Sequence, residues 1–311
     1  MSANRERQIT DDVRKLVSEQ ANASSSDLDR MSTESILLAM NEEDRKVADA
    51  VRAAIPEIAR AVDLIAERFR RGGRLIYVGA GTSGRLAAID ALECPPTFGT
   101  PQEQVSFLLA GGPSAMLLAA ENAEDDAAMG AEDLRGLKLV ADDCVAAISA
   151  SGRTPYCAGA LQYAREVGAA AIAISCNAGA AISAEADVAI EVMTGPEVLA
   201  GSTRLKAGTA QKIVLNMLST ASMVRTGHVY GNQMVDMQPS NSKLRQRAKQ
   251  IAASISGASE KQAEEALQAS GWSIKQAIVC LMIGASPEEA KRRLEAAGGF
   301  LRLVVAGEQT G

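Results

Sequence analysis

Aromatic residues are scarce in this 311-residue chain: Phe, Trp and Tyr together make up 3%, with a single Trp. Because 47% of the residues are hydrophobic, the core must be assembled from Ala, Val, Leu, Ile and Met. Small side chains of this kind suit close packing of helices on a sheet. Histidine occurs once, at His228, which excludes a histidine-rich metal centre and restricts any Ser-His-Asp arrangement to that one residue. The five cysteines (Cys94, Cys144, Cys157, Cys176, Cys280) form an odd set without a C-x-x-C pair. Reduced thiols in a cytoplasmic protein are therefore expected, not a disulfide framework. An excess of basic residues is also missing. The formal net charge is −6, the wrong sign for a nucleic-acid partner. An anionic small ligand stays admissible, because a site can be locally positive in an acidic protein. The opening residues MSANRERQITDD are charged and lack an apolar stretch, so no signal peptide is expected. The apolar runs are too short or too interrupted to span a bilayer, and no membrane partner is expected.

What is present is a change of period along the chain. Residues 1–33 are polar, and Ser32 or Thr33 opens a helix as its N-cap. Val47, Val51, Ile55, Ile58, Val62 and Ile65 recur at helical spacing, predicting one long helix from about Asp44 to Arg71. Short apolar runs then begin at Arg74, Val105, Cys144, Ala170 and Val188, most of them separated by helical stretches. Continuous apolar strands alternating with helices imply a parallel sheet covered on both faces. The expected fold is α/β: a flavodoxin-like, doubly wound, five-stranded parallel sheet with N-terminal helices and a small C-terminal helical bundle. A long helix is expected over about Thr203–Arg225, and short ones near 242–255, 259–269, 272–283 and 286–297. The expected division is an N-terminal helical extension over 1–55, a central domain over 56–228 and the bundle over 240–304. Ligands of such sheets bind beyond the carboxyl ends of the strands.

Two loops at such ends carry chemistry. Gly79-Ala-Gly-Thr-Ser-Gly-Arg85 follows the first strand, and Ser149-Ala-Ser-Gly-Arg-Thr-Pro155 follows the third. The first contains G-x-G-x-x-G, which alone is a weak sign of a dinucleotide site. Thr82 and Ser83 suit a single phosphate better, and no strand ending in an acidic residue follows about 20 residues on. Free N–H groups at a helix start, together with hydroxyls, bind anions. The candidate phosphate ligands are Thr82, Ser83, Gly84 and Arg85 from the first loop. Ser149, Ser151, Gly152, Arg153 and Thr154 come from the second. Ser202 and Lys206, at the start of the long helix, are candidates of the same kind, with ordinary capping by Ser202 or Thr203 as the alternative.

The paired loops resemble those of sugar isomerase domains. The likeness narrows with Asp90-Ala-Leu-Glu-Cys-Pro-Pro-Thr-Phe-Gly99, Ala123-Glu-Asp125 and Gly201-Ser-Thr-Arg-Leu-Lys-Ala-Gly-Thr-Ala-Gln-Lys212. Asp29–Glu34, Asn41–Asp44 and Gly298-Gly-Phe300 extend it over nearly the whole chain. Together these strings resemble the N-acetylmuramic acid 6-phosphate etherase family. The resemblance implies cleavage of a lactyl ether from a phosphosugar by elimination and water addition, without metal or organic cofactor, by a homodimer. It implies Glu93 as proton donor and Glu124 as base. Two carboxyl groups in different surroundings can divide those roles. Apart from the resemblance, Glu93 reads as a helix-terminal surface carboxylate and Glu124 as part of a solvated face. The chain departs from the family at Asn122, where glycine is common, and at Gly111-Gly-Pro-Ser114, where Gly-Gly-Glu is common. A phosphosugar isomerase and a non-catalytic sugar-phosphate sensor are the alternative readings.

Overall fold

The computed structural model describes residues 16–118, 120 and 122–306. The chain forms two compact units, one from the segment up to Ala91 with Gln104–Ser219, the other from Leu92–Glu103 with the segment from Thr220 onward.

The first unit is built on five parallel strands: β1 (Leu75–Gly79), β2 (Val105–Leu109), β3 (Cys144–Ile148), β4 (Ala170–Ser175) and β5 (Val188–Glu191). Their order is β2-β1-β3-β4-β5, the expected flavodoxin-like arrangement. Every residue of β1, β3 and β4 is buried, as two-sided coverage requires. At the sheet edge β5 alternates buried and half-buried positions. Ile76, Val78, Val145, Ala147, Ala171 and Ala173 point to one face and join Tyr156, Cys157, Ala160 and Leu161 of helix α5 (Pro155–Val167) in a continuous core. Tyr77 points to the other face, where its hydroxyl donates to Asp90 Oδ2 at 3.0 Å. Asp90 belongs to helix α3 (Gly81–Phe98), so α3 covers that second face.

The long N-terminal helix is broken in two: α1 (Thr33–Ala53) and α2 (Ile55–Arg70). Ser32 caps α1, its side chain accepting from Ser35 N. The break falls at Ala54 (φ −90°, ψ 1°), two residues before Pro56, which has no N–H to give Arg52 and whose ring crowds that carbonyl. In contrast, α3 does not stop before its two prolines. It passes through Pro95 and Pro96 to Phe98, and Gly99 N closes it by donating to Pro95 O at 2.9 Å. Both prolines lie close to the last turn, so only the bonds to the Ala91 and Leu92 carbonyls are lost. Helix α4 (Ala127–Gly136) packs on α5. Helix α6 (Lys206–Arg225) starts three residues later than the sequence predicts.

The other unit includes α7 (Ser242–Ser256), α8 (Glu260–Ala269), α9 (Ile274–Ile283), α10 (Pro287–Ala296) and a further short α11 (Leu301–Ala306). Val235, Ile251, Leu267, Ile278, Leu294 and Val305 form its core. Asn241, Ser259, Ser273 and Ser286 cap the first four helices with their side chains. His228 Nδ1 lies 2.9 Å from Asp236 Oδ2, which also pairs with Lys275 at 2.5 Å. The single histidine thus lies beside the Lys275–Asp236 ion pair of this unit.

At the amino ends of β1 and β3, the fully buried Asp143 carboxylate gathers Arg74 N (2.9 Å), Arg74 Nη2 (2.6 Å) and Val140 N (3.0 Å). Burial pushes its pKa up, but these donors outweigh burial and hold it below the ordinary value. Asp143→Ala leaves those donors without their acceptor and is expected to cost about 3–5 kcal/mol. Urea unfolding of the variant, followed by circular dichroism, measures that loss.

Candidate functional site

Gly79 is paired with Ile148 across the β1–β3 ladder. Ala80 and Ser149 therefore begin their loops side by side, where the strand order reverses. The crevice of a doubly wound sheet opens at this point.

The first loop turns at once into α3. Thr82 is half-buried, and Ser83 and Gly84 are buried in its first turn. The first N–H groups of such a turn lack helical partners and point outward along the axis, whereas Gly84 N already donates to Ala80 O at 3.3 Å. The second loop is held by its own hydroxyls. Ser149 Oγ lies 2.8 Å from Thr154 Oγ1 and 3.3 Å from Ser151 Oγ, and accepts from Gly152 N at 3.0 Å. Gly152 has φ +70°, and a Cβ there would lie 2.3 Å from that of Ala180, so the turn admits only glycine. Thr154 is the N-cap of α5 and Pro155 its first residue. The Arg153 side chain is exposed.

Arg85 does not stand open to a ligand. Its Nη2 donates to Ala115 O (2.7 Å) and Leu118 O (3.1 Å), and Nε to Met116 O (3.4 Å). The guanidinium thereby ties the segment after β2 to α3. A cleft of about 170 Å³ lies here, lined by Ala80, Gly81, Arg85, Ala110, Ala115, Ala120 and Glu124. Glu124 thus shares a cleft with the first loop. It sits in a short turn, Ala123–Asp125, followed by Asp126, which caps α4 by accepting from Met129 N at 3.0 Å. Asn122 enters that turn at φ +66°. Asparagine is one of few side chains that tolerate this left-handed conformation, so it can stand where the family commonly has glycine. Glu121, part of the same motif, lies outside the described residues. Glu93 is exposed and belongs to the other unit, on the stretch of α3 before the prolines.

The structure gives the start of α6 a different character from the one expected. Its N-terminus already holds a carboxylate: Glu197 accepts from Lys206 N (3.2 Å) and Ala207 N (2.9 Å). Neither Ser202 nor Thr203 is the cap. Lys206, 2% exposed, gives its ammonium to Glu43 of α1, itself 4% exposed. Lys206 therefore serves carboxylates of the chain itself, through its backbone N–H to Glu197 and its ammonium to Glu43. Glu197 and Glu43 carried no local signal of this role, since each reaches its partner over many residues.

Burial raises the Glu43 pKa, but hydrogen bonds from Lys206, Lys46 and Asn22 outweigh it and bring it from 4.5 down to about 2. A depressed carboxylate stabilises the fold above its unfolded value and loses that contribution as pH falls through its folded value. Thermal unfolding followed against pH should therefore show stability from this group intact above about 4.5 and draining away toward about 2. Glu43→Gln should flatten the curve in that window; an unchanged slope would contradict the assignment.

Three family models match the chain in succession. These are the glucokinase regulatory protein N-terminal SIS domain over residues 57–165, the SIS domain over 130–221, and the C-terminal lid domain of glucokinase regulatory protein over 231–276. A phosphoheptose isomerase from Francisella tularensis has the same fold, with a TM-score of 0.51 at 18% identity, covering 62% of this chain and 100% of that one. N-acetylmuramic acid 6-phosphate etherase of Yersinia pestis is 53% identical over 290 residues, 93% of this chain and 98% of that protein. The etherase of Mycolicibacterium smegmatis is 54% identical over 294 residues, 94% of this chain and 99% of its own length. Likeness of that degree over more than nine-tenths of the chain places it in the N-acetylmuramic acid 6-phosphate etherase family.

Proposed function

We propose that this protein cleaves the D-lactyl ether at C3 of N-acetylmuramic acid 6-phosphate, giving N-acetylglucosamine 6-phosphate and D-lactate in the recycling of cell-wall sugars. The observation that carries this reading is the match to etherases across 94% of the chain. The arrangement of the crevice supports it. The phosphate rests on the N–H groups and hydroxyls of Thr82 and Ser83 and on the hydroxyls of Ser149, Ser151 and Thr154, while Gly84 and Gly152, whose N–H groups are held by Ala80 O and by Ser149, shape the two turns. Arg85 adds positive charge while its hydrogen bonds hold the segment that leads to Glu124.

The C1 aldehyde of the open-chain sugar acidifies the C2 proton. Glu124 removes that proton, the electron pair forms the C2=C3 bond, and the C3–O bond breaks. Glu93 donates a proton to the departing lactate oxygen, the role the family resemblance implies. Water then adds across the double bond, its hydroxyl to C3 and a proton to C2. All the electrons come from substrate bonds, so the chemistry needs no metal or organic cofactor. A sensor of sugar phosphates would use the same loops but would need neither carboxyl group. We also propose, from the family resemblance, that two copies associate and that the protein works in the cytoplasm. Among the described residues no helix is long and apolar enough to cross a membrane.

The test uses N-acetylmuramic acid 6-phosphate in deuterated water with the wild type, Glu93→Ala and Glu124→Ala. D-Lactate release and deuterium at C2 are followed. The wild type should release lactate, and each variant should lose it by about 10²–10⁴-fold. Glu93→Ala should still exchange the C2 proton, and Glu124→Ala should not. Binding without lactate release or exchange in the wild type would overturn the reading in favour of a sensor.

A further inference from the structure

One face of α6 is applied to α3. Gly208 comes within contact of Thr82 and Leu86, with 3.6 Å from a Cβ built there to Thr82 Cγ2. Further along, Gln211 reaches Ser83, and Asn216 and Ser219 reach Asp90 Oδ1 at 2.7 and 3.1 Å. These residues recur at helical spacing and form a polar seam between the two helices.

The Ser83–Gln211 contact has an unusual consequence. Ser83 Oγ donates to Gln211 Oε1 at 3.0 Å, and both residues are buried, at 8% and 1% exposure. A serine hydroxyl has one proton. Given to Gln211, it leaves only lone pairs for a ligand, and an anion repels those. The same contact leaves Gln211 Nε2 buried and without a hydrogen-bond partner among the described residues. Buried donors are rarely orphaned, whereas carbonyl oxygens with a free lone pair are better tolerated. A half-turn of the amide cures both defects. Nε2 then donates to Ser83 Oγ, and the serine proton is released to an acceptor in the loop.

We infer that Gln211 is a positioning residue for phosphate binding: with a phosphate in the loop, its amide donates to Ser83 Oγ and Ser83 passes its own hydrogen bond to a phosphate oxygen. The inference rests on the phosphate role proposed for Ser83. It assigns to α6 a direct part in the site that its capped N-terminus does not have.

The test compares Gln211→Met, which removes both amide functions at similar volume, with Gln211→Glu, Ser83→Ala and the Ser83→Ala/Gln211→Met double variant. Calorimetry with N-acetylglucosamine 6-phosphate gives Kd, and lactate release gives KM and kcat. Gln211→Met should raise Kd and KM about tenfold with kcat within about twofold, as loss of uniform binding requires. Gln211→Glu, which when ionised accepts but cannot donate, should do the same or worse at a pH that keeps it charged. The double variant should bind no more weakly than Ser83→Ala, because the two residues act as one unit. In 15N-labelled protein, the side-chain amide signal absent from Gln211→Met should shift on ligand addition, and should not shift in Ser83→Ala. This signal serves even where the buried charge of Gln211→Glu prevents folding. Unchanged Kd in Gln211→Met beside a weakened Ser83→Ala, or additive losses in the double variant, would overturn the inference. Normal binding by Ser83→Ala would remove both the inference and the proposed phosphate role of that serine. Coupled binding without lactate release by the wild type would leave the inference standing and remove only the etherase reading.

Discussion

The neighbouring of β1 and β3 is the constraint on which the first unit depends. From β1 the chain crosses one way to β2 and then back past β1 to β3. The connections on either side leave in opposite directions, and a crevice opens between them at the carboxyl ends. Neither loop is a site by itself. Ladder register brings the two together, because Gly79 opposite Ile148 sets the first loop beside the second. At the far end of the same two strands, Asp143 binds the backbone and guanidinium of Arg74. A slip of one residue would turn every side chain of a strand to the wrong face and break that contact as well. The ion pair that holds the register and the crevice that uses it thus stand at opposite ends of one ladder.

Much of this was legible in the chain because parallel strands buried on both faces must be continuously apolar. The runs at Leu75, Cys144 and Ala170 could be little else, and the glycine-hydroxyl turns after the first two marked their carboxyl ends. Helix boundaries were less legible where a proline had two readings. Pro56 breaks the N-terminal helix, yet Pro95 and Pro96 do not break α3, because near a helix end fewer bonds remain to lose. The start of α6 was illegible for another reason. Its cap, Glu197, lies nine residues before Lys206, outside any local capping pattern. The partner of Lys206 is farther still, 163 residues away on α1. No spacing rule could have joined them. Gln211 was hidden in the same way: its partner Ser83 lies 128 residues earlier in the chain.

Three helix starts in this unit therefore offer the same backbone chemistry and come to different ends. The starts of α3 and α5 are built from small and hydroxylated residues, with no carboxylate of the chain reaching their first N–H groups in the bonds described. The start of α6 is filled from within by Glu197. The difference is whether the chain supplies its own anion. Where it does, the helix is fixed and the charge must be balanced nearby. Glu43, Lys206 and Lys46 form that balance, and they tie α1 to α6 in doing so.

Such an arrangement would let a protein of net charge −6 hold the proposed phosphate without a cluster of lysines. The donors of the crevice are backbone N–H groups and hydroxyls, which are neutral and carried on helix starts that the fold has already formed. Preorganised donors of this kind cost little to reorient on binding. Arg85, the one cation among the described residues lining the cleft, spends its hydrogen bonds on the carbonyls of Ala115, Met116 and Leu118. Its charge still acts across the short distance to the loop, while its geometry is used to hold the segment running to Ala120 and Glu124. A single guanidinium thus joins the proposed phosphate loop to the chain that carries the proposed base. Substitution of Arg85 would accordingly disturb the reacting end of the sugar as well as the phosphate end.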